Sequence, residues 1–100
     1  MKESLVQKKL MQLIVATFPG VYLRKIAQGA YSRGGILDLI GCLNGKFFSI
    51  EVKTEDGSLS KLQELEIKAI DNAKGLALVC YDTTDFDYII TRLKEYESIK

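Results

Sequence analysis

The sequence predicts an α/β domain, a mixed β-sheet flanked by helices in the order α-β-β-β-α-β-α. Three observations predict it. Apolar residues recur at helical spacing near the N-terminus. Asn44-Gly45 lies between two apolar runs, the strongest short-range hairpin signal, because both turn residues must take positive φ. A capped amphipathic stretch then separates this hairpin from a further apolar run, which reads as a βαβ crossover. At 100 residues the chain suffices for one domain, residues 1–100, with one modest core.

Taken in order, Leu5, Leu10, Leu13, Ile14 and Phe18 place a helix over residues 4–17, which Pro19-Gly20 ends. Residues 21–26 are rich in β-formers and read as the first strand. Residues 27–35 form a loop that holds Gly29, Gly34 and Gly35. Residues 36–43 and 46–53 are the strands of the hairpin, and 54–59 are a polar loop. A second helix covers 60–74: Ser60 with Gln63 fits a capping box, and Gly75 fits the terminating position. Residues 76–81 read as a buried strand. A last helix covers 84–96, with Asp85 and Asp87 in its first turn.

Composition narrows the chemistry. Lys and Arg number 14 against 13 Asp and Glu. Bulk charge therefore does not hold nucleic acid, and a local basic surface or two copies acting together must do so. A core this small favours self-association. With no histidine, Ser-His-Asp and Cys-His hydrolases and His-ligated zinc are excluded. Carboxylates, lysine and a hard metal remain for hydrolysis at neutral pH. Cys42 and Cys80 each lie in an apolar run and read as buried free thiols. The N-terminus MKESLVQKK does not read as a signal peptide. No apolar run approaches the ~18 residues of a membrane span. The expected location is the cytoplasm of a bacterium or a phage-infected cell, with no membrane partner.

The hairpin places the chemistry. With Asn44-Gly45 as a two-residue turn, Leu43 pairs with Lys46, Cys42 with Phe47 and Ile40 with Ser49. Asp38 then falls opposite Glu51, and Ile36 opposite Lys53. Side chains alternate along a strand, so Asp38, Glu51 and Lys53 share a face. The other face carries Leu37, Leu39, Leu43, Phe48, Ile50 and Val52 and is wholly apolar. Directly opposed carboxylates destabilise a hairpin. Protonation, a neighbouring lysine or a divalent cation relieves the repulsion, and oxygen ligands favour Mg²⁺ or Mn²⁺. The competing reading is a solvated face of ordinary surface charge. Ile36, Ile40 and Phe47 on that face argue that it is partly covered.

A glycine loop, an Asp on one strand and Glu-x-Lys on the next resemble the PD-(D/E)XK nuclease superfamily. The stretch GGILDLIGCLNGKFFSIEVKTEDGSLSKLQ resembles its VRR-NUC family, the virus-type replication-repair nucleases. Gln63, in the following helix, and Glu3, in the first helix, match further family positions. The resemblance runs from Glu3 to about Tyr81. One departure is Leu37, where the family usually has proline before the Asp.

The resemblance implies a restriction-endonuclease-like core and a Mg²⁺-dependent deoxyribonuclease, with Mn²⁺ as a substitute. It implies that Asp38 and Glu51 bind the metal with the carbonyl of Val52, and that Glu3 completes the shell or holds a water on it. Lys53 would orient or activate the attacking water, and Gln63 would position Lys53 or the water. Gln63 reads equally well as a simple helix cap, and Glu3 as a residue that favours a helix N-terminus. The loop residues Tyr31, Ser32 and Arg33, with Arg24, Lys25 and Lys61, are candidate DNA contacts. Each basic residue alone reads as an ordinary solvated charge. The expected substrate is branched DNA of the Holliday-junction type, cut by a homodimer. The alternative is a non-catalytic DNA-binding or assembly module on the same fold.

Overall fold

The computed structural model describes residues 1–27, 34–54 and 57–99. Helix α1 (Glu3–Thr17) is followed by β1 (Tyr22–Lys25), β2 (Leu39–Leu43) and β3 (Lys46–Val52). Then come α2 (Lys61–Asn72), β4 (Leu76–Cys80), a 3₁₀ turn (Thr83–Asp85) and α3 (Phe86–Ser98). Among the described residues the strands form one sheet in the order β1-β2-β3-β4. β1, β2 and β3 pair antiparallel, and β3 and β4 pair parallel. The predicted order and the mixed sheet are both present.

Alternation along the strands divides the sheet into two unlike faces. Leu39, Leu43, Phe48, Ile50, Val52, Leu76, Leu78 and Cys80 point into the core. There they meet Val6, Leu10 and Ile14 of α1 and Ile89 and Leu93 of α3. Burying side chains of this size contributes about 1.5–3 kcal/mol each. The opposite face is roofed by α2, whose Gln63 reaches Glu51 of β3. None of the residues of α2 is buried.

The hairpin has the predicted register: Leu43 faces Lys46, Cys42 faces Phe47 and Ile40 faces Ser49. Asn44 and Gly45 take φ of 53° and 81°, as a type I′ turn requires. The ladder stops sooner than the predicted strand of residues 36–43, at Leu39 opposite Ile50. Residues 36–38 lie outside the strand because side chains take over the bonding at Asp38.

Helix α2 begins as predicted, with the reciprocal capping box of Ser60 and Gln63. Its end differs. Lys74, not Gly75, takes the left-handed conformation, at φ 70°. The Lys74 N–H donates to the Asp71 carbonyl at 3.0 Å and the Gly75 N–H to that of Ile70 at 2.9 Å, a Schellman ending. Glycine stands at 75 for space: a Cβ there would lie 2.9 Å from Ile70 Cγ2 and 3.3 Å from Phe47 Cδ1. Lys74→Gly is therefore expected to stabilise the fold by about 0.5–1 kcal/mol in urea unfolding. An unchanged or lower midpoint would count against a strained Lys74.

The cysteines also differ from expectation. Both are free and Cys80 is buried, but Cys42 is exposed. It lies on the sheet face that α2 only partly covers. Among the described residues, no helix is long and apolar enough to cross a membrane.

Candidate active site

Asp38 and Glu51 meet at the end of β3 through reciprocal bonds. The Asp38 backbone N–H donates to Glu51 Oε1 at 3.1 Å. Asp38 Oδ2 accepts from the Val52 N–H at 3.0 Å. The hairpin thus continues past its last backbone pair, with a carboxylate from each strand in place of a carbonyl. Each side chain is held by the other strand's backbone, so both carboxylates are positioned without help from a flexible loop.

Glu51 is 2% exposed. Its Oε2 accepts from Gln63 Nε2 at 2.9 Å and lies 3.8 Å from Lys53 Nζ. Burial, and then the charge of Asp38, push the Glu51 carboxyl up from its ordinary 4.5 to about 7. The Asp38 amide and Lys53 act in the opposite direction, and Glu3 adds to the rise. A carboxylate so balanced between proton and charge is a functional-site signature.

Gln63 resolves a choice that the sequence posed as either cap or site. Its Oε1 accepts from the Ser60 N–H at 2.9 Å, while its Nε2 donates to Glu51. An amide has an acceptor and a donor on separate atoms, so one side chain performs both tasks. The cap holds the amide in the orientation that presents N–H, not oxygen, to the carboxylate.

Glu3 enters from α1 on the other side. Its Oε1 accepts from the Thr54 N–H at 3.4 Å, which ties the start of the helix to the end of the Glu-Val-Lys segment. Ser49, one alternation before Glu51, is buried and donates its hydroxyl to the Leu39 carbonyl at 2.8 Å. The sequence reading did not single out this buried hydroxyl. A serine midway along an otherwise apolar strand was the available signal.

The candidate DNA contacts are dispersed. Lys61 opens α2, two residues from Gln63, and is exposed. Arg24 and Lys25 lie on β1 opposite Ile40 and Leu39, and the next residue, Ile26, donates its N–H to the Asp38 carbonyl at 2.8 Å. The Arg24 guanidinium stacks 4.2 Å from the Tyr22 ring centroid and donates to the Leu23 carbonyl at 2.8 Å. Tyr31, Ser32 and Arg33 lie outside the described residues.

The donor set fits a hard divalent cation. Asp38, Glu51 and the Val52 carbonyl offer only oxygen, and the ionised form of Glu51 is only partly compensated by Lys53 and its hydrogen bonds. Among the described residues, no group of three or more His, Cys, Asp or Glu side chains is placed to hold a metal. Two carboxylates plus solvent is a pattern that suits Mg²⁺, which keeps several of its waters.

No protein-family profile matches the sequence, and neither does any curated protein sequence. Solved structures do match. A structure described as a VRR-NUC domain superposes with a TM-score of 0.74 at 25% identity, over 89% of this chain and 94% of the other. Hjc, a Holliday junction resolvase from the archaeal hyperthermophile Archaeoglobus fulgidus, superposes with a TM-score of 0.54 at 16% identity. That match covers 78% of this chain and 68% of the resolvase, and it speaks to the fold alone. The sheet, the helices that flank it and their order are those of a restriction-endonuclease-like core. In fold and in the order of its motif residues the chain is similar to a VRR-NUC domain.

Proposed function

We propose that the protein is a metal-dependent DNA endonuclease that hydrolyses phosphodiester bonds in branched DNA. The observation that carries this reading is the buried Glu51 carboxylate, clamped to Asp38 across the hairpin with Lys53 Nζ at 3.8 Å. Asp38, Glu51 and the Val52 carbonyl would hold Mg²⁺, with Mn²⁺ as a substitute. A divalent cation at such a site supplies a nucleophile at neutral pH and stabilises the charge that develops on phosphate.

The chain's own residues do the rest. Lys53 orients the attacking water and offers its ammonium to the scissile phosphate; its side chain is 24% exposed, open enough to meet a substrate. Gln63 keeps Glu51 in place and removes one lone pair from competition. Glu3 steadies the Glu-Val-Lys segment through Thr54 and holds a water at the rim. Lys61, Arg24, Lys25 and residues 31–33 contact the DNA backbone. Two copies acting together would join two weak basic surfaces and deliver two symmetric cuts. A four-way junction is the substrate that two symmetric cuts suit, and the natural place of action is the cytoplasm.

The test is a gel assay of four-way junctions, flaps and linear duplex with Mg²⁺ or Mn²⁺. Junctions should be cut in preference. Equal cleavage of linear duplex overturns the branched-substrate reading. Binding without cleavage under either metal favours a non-catalytic binding module.

A further inference from the structure

Strand β4 ends beside the Glu-Val-Lys segment. β3 and β4 run parallel with Val52 opposite Cys80, and the Lys53 N–H donates to the Cys80 carbonyl at 2.9 Å. Tyr81 follows the residue that holds the Lys53 backbone, on a strand about 4.8 Å away. Leu76, Leu78 and Cys80 point into the core. Alternation assigns Tyr81 to the other face, which carries Glu51 and Lys53. Tyr81 is 46% exposed.

The backbone under this ring is fixed. The Tyr81 N–H donates to Asp85 Oδ2 at 2.7 Å, and the Asp82 N–H donates to the same oxygen at 3.4 Å. Asp82 Oδ1 accepts from the Thr84 N–H at 2.7 Å, which completes a reciprocal cap on the 3₁₀ turn. Tyr81 is thus presented from a held backbone. Open space adjoins it. A recess of about 210 Å³ is lined, among the described residues, by Met1, Val6, Thr54, Tyr81, Asp82 and Thr83. Thr54 also holds Glu3 through its N–H, so the recess borders the carboxylate site.

We infer that Tyr81 is a stacking platform for an unstacked base beside the scissile phosphate, and that it supplies part of the preference for branched DNA. The inference rests on the nuclease reading above and names what that site recognises. The surroundings select a base over a phosphate at the ring. Lys53 stands on one side of Tyr81, and Asp82 and Asp85 on the other. The two carboxylates repel a phosphate. The face of a base carries no net charge and stacks on an aromatic ring whatever the base. In linear duplex every base is paired and stacked, and extracting one is costly. At a branch a base lacks a stacking neighbour or a partner, and its capture costs least. The ring therefore rewards binding at a branch and adds little on uninterrupted duplex.

The test compares wild type, Tyr81→Ala and Tyr81→Phe on a flap, a four-way junction and linear duplex. 2-Aminopurine is placed at each branch nucleotide in turn. Its emission is read on binding in Ca²⁺, and cleavage is read in Mg²⁺ or Mn²⁺. Wild type and Tyr81→Phe should quench the probe at a branch position, because the hydroxyl takes no part in stacking. Tyr81→Ala should not quench it. On branched substrates Tyr81→Ala should raise KM about 10–100-fold, with the loss in KM rather than kcat, and narrow the preference over duplex. Tyr81→Leu keeps an apolar side chain without an aromatic face and stands as the second variant; circular dichroism confirms that each is folded. A folded Ala or Leu variant that keeps both the quenching and the branch preference overturns the platform. So does a variant that loses activity on all three substrates alike with quenching intact, since that is a structural role. A wild type that cuts none of the substrates overturns the nuclease reading, and the quenching in Ca²⁺ still decides the platform. A wild type that quenches the probe at no branch position overturns it.

Discussion

Lys53→Ala is expected to lower cleavage by about 10²–10³-fold, in line with the loss of one oriented charge or donor at a reacting phosphate. DNA binding should be nearly unchanged. The ammonium stands 3.8 Å from Glu51 Oε2 and is partly exposed. It is thus placed to face both the carboxylate that would hold the cation and an incoming phosphate. Its removal has a second consequence. Lys53 is one of the groups that lower the Glu51 pKa, so without it the carboxyl holds its proton to higher pH. The residual activity of the variant should therefore rise with pH later than that of the wild type. Single-turnover cleavage across pH, with binding measured by gel shift in Ca²⁺, checks both statements. A Lys53→Ala enzyme that cuts at the wild-type rate removes Lys53 from the machinery.

Stability without metal is expected to fall as pH rises from about 5 to 8, and Glu51 is the cause. In the unfolded chain its carboxyl loses a proton at the ordinary 4.5; in the folded protein it does so at about 7. Between these values the folded state holds the extra proton, so stability declines with rising pH. Below 4.5 both states are protonated and the site costs nothing; above 7 the folded state carries the whole penalty. The step from 4.5 to about 7 corresponds to about 3 kcal/mol. For a domain of this size that is about 10–20 °C in melting temperature.

Glu51→Gln cannot titrate there and should lack this component. Other acids titrate in both proteins, so the measured quantity is wild type minus variant in EDTA at each pH. Equal profiles would show that Glu51 is not strained in the folded protein. Mg²⁺ competes with the proton for the same oxygens. It should therefore raise the wild-type melting temperature more at pH 8 than at pH 5, and do little for Glu51→Gln. A site that destabilises its own fold until occupied is a familiar cost of function.

Several of these features were legible in the sequence because they are set by neighbours along the chain. Asn44-Gly45 demands positive φ at two adjacent residues, and that one turn determines which residues of β2 and β3 face each other. Strand alternation then separates the Leu39, Phe48 and Ile50 face from the Glu51 face. The Ser60–Gln63 box lies within a single helical turn. Glu51 and Lys53 share a face for the same local reason, so the centre of the candidate site was readable before any fold was known.

Tertiary structure alone decided the rest. Asp38 leaves the ladder because its amide and carboxylate bond to Glu51 and Val52, residues 13 and 14 positions away; no local pattern reveals that a side chain will replace a backbone partner. Gln63 is both cap and Glu51 ligand because α2 crosses over the end of β3. Gly75 is required by Phe47 and Ile70, and the left-handed turn falls on Lys74 instead. Cys42, apolar in its surroundings along the chain, is exposed because α2 roofs only part of one sheet face. Turns, caps and alternation are properties of contiguous residues and survive in the sequence. Which face is covered, and by what, depends on the packing of distant elements.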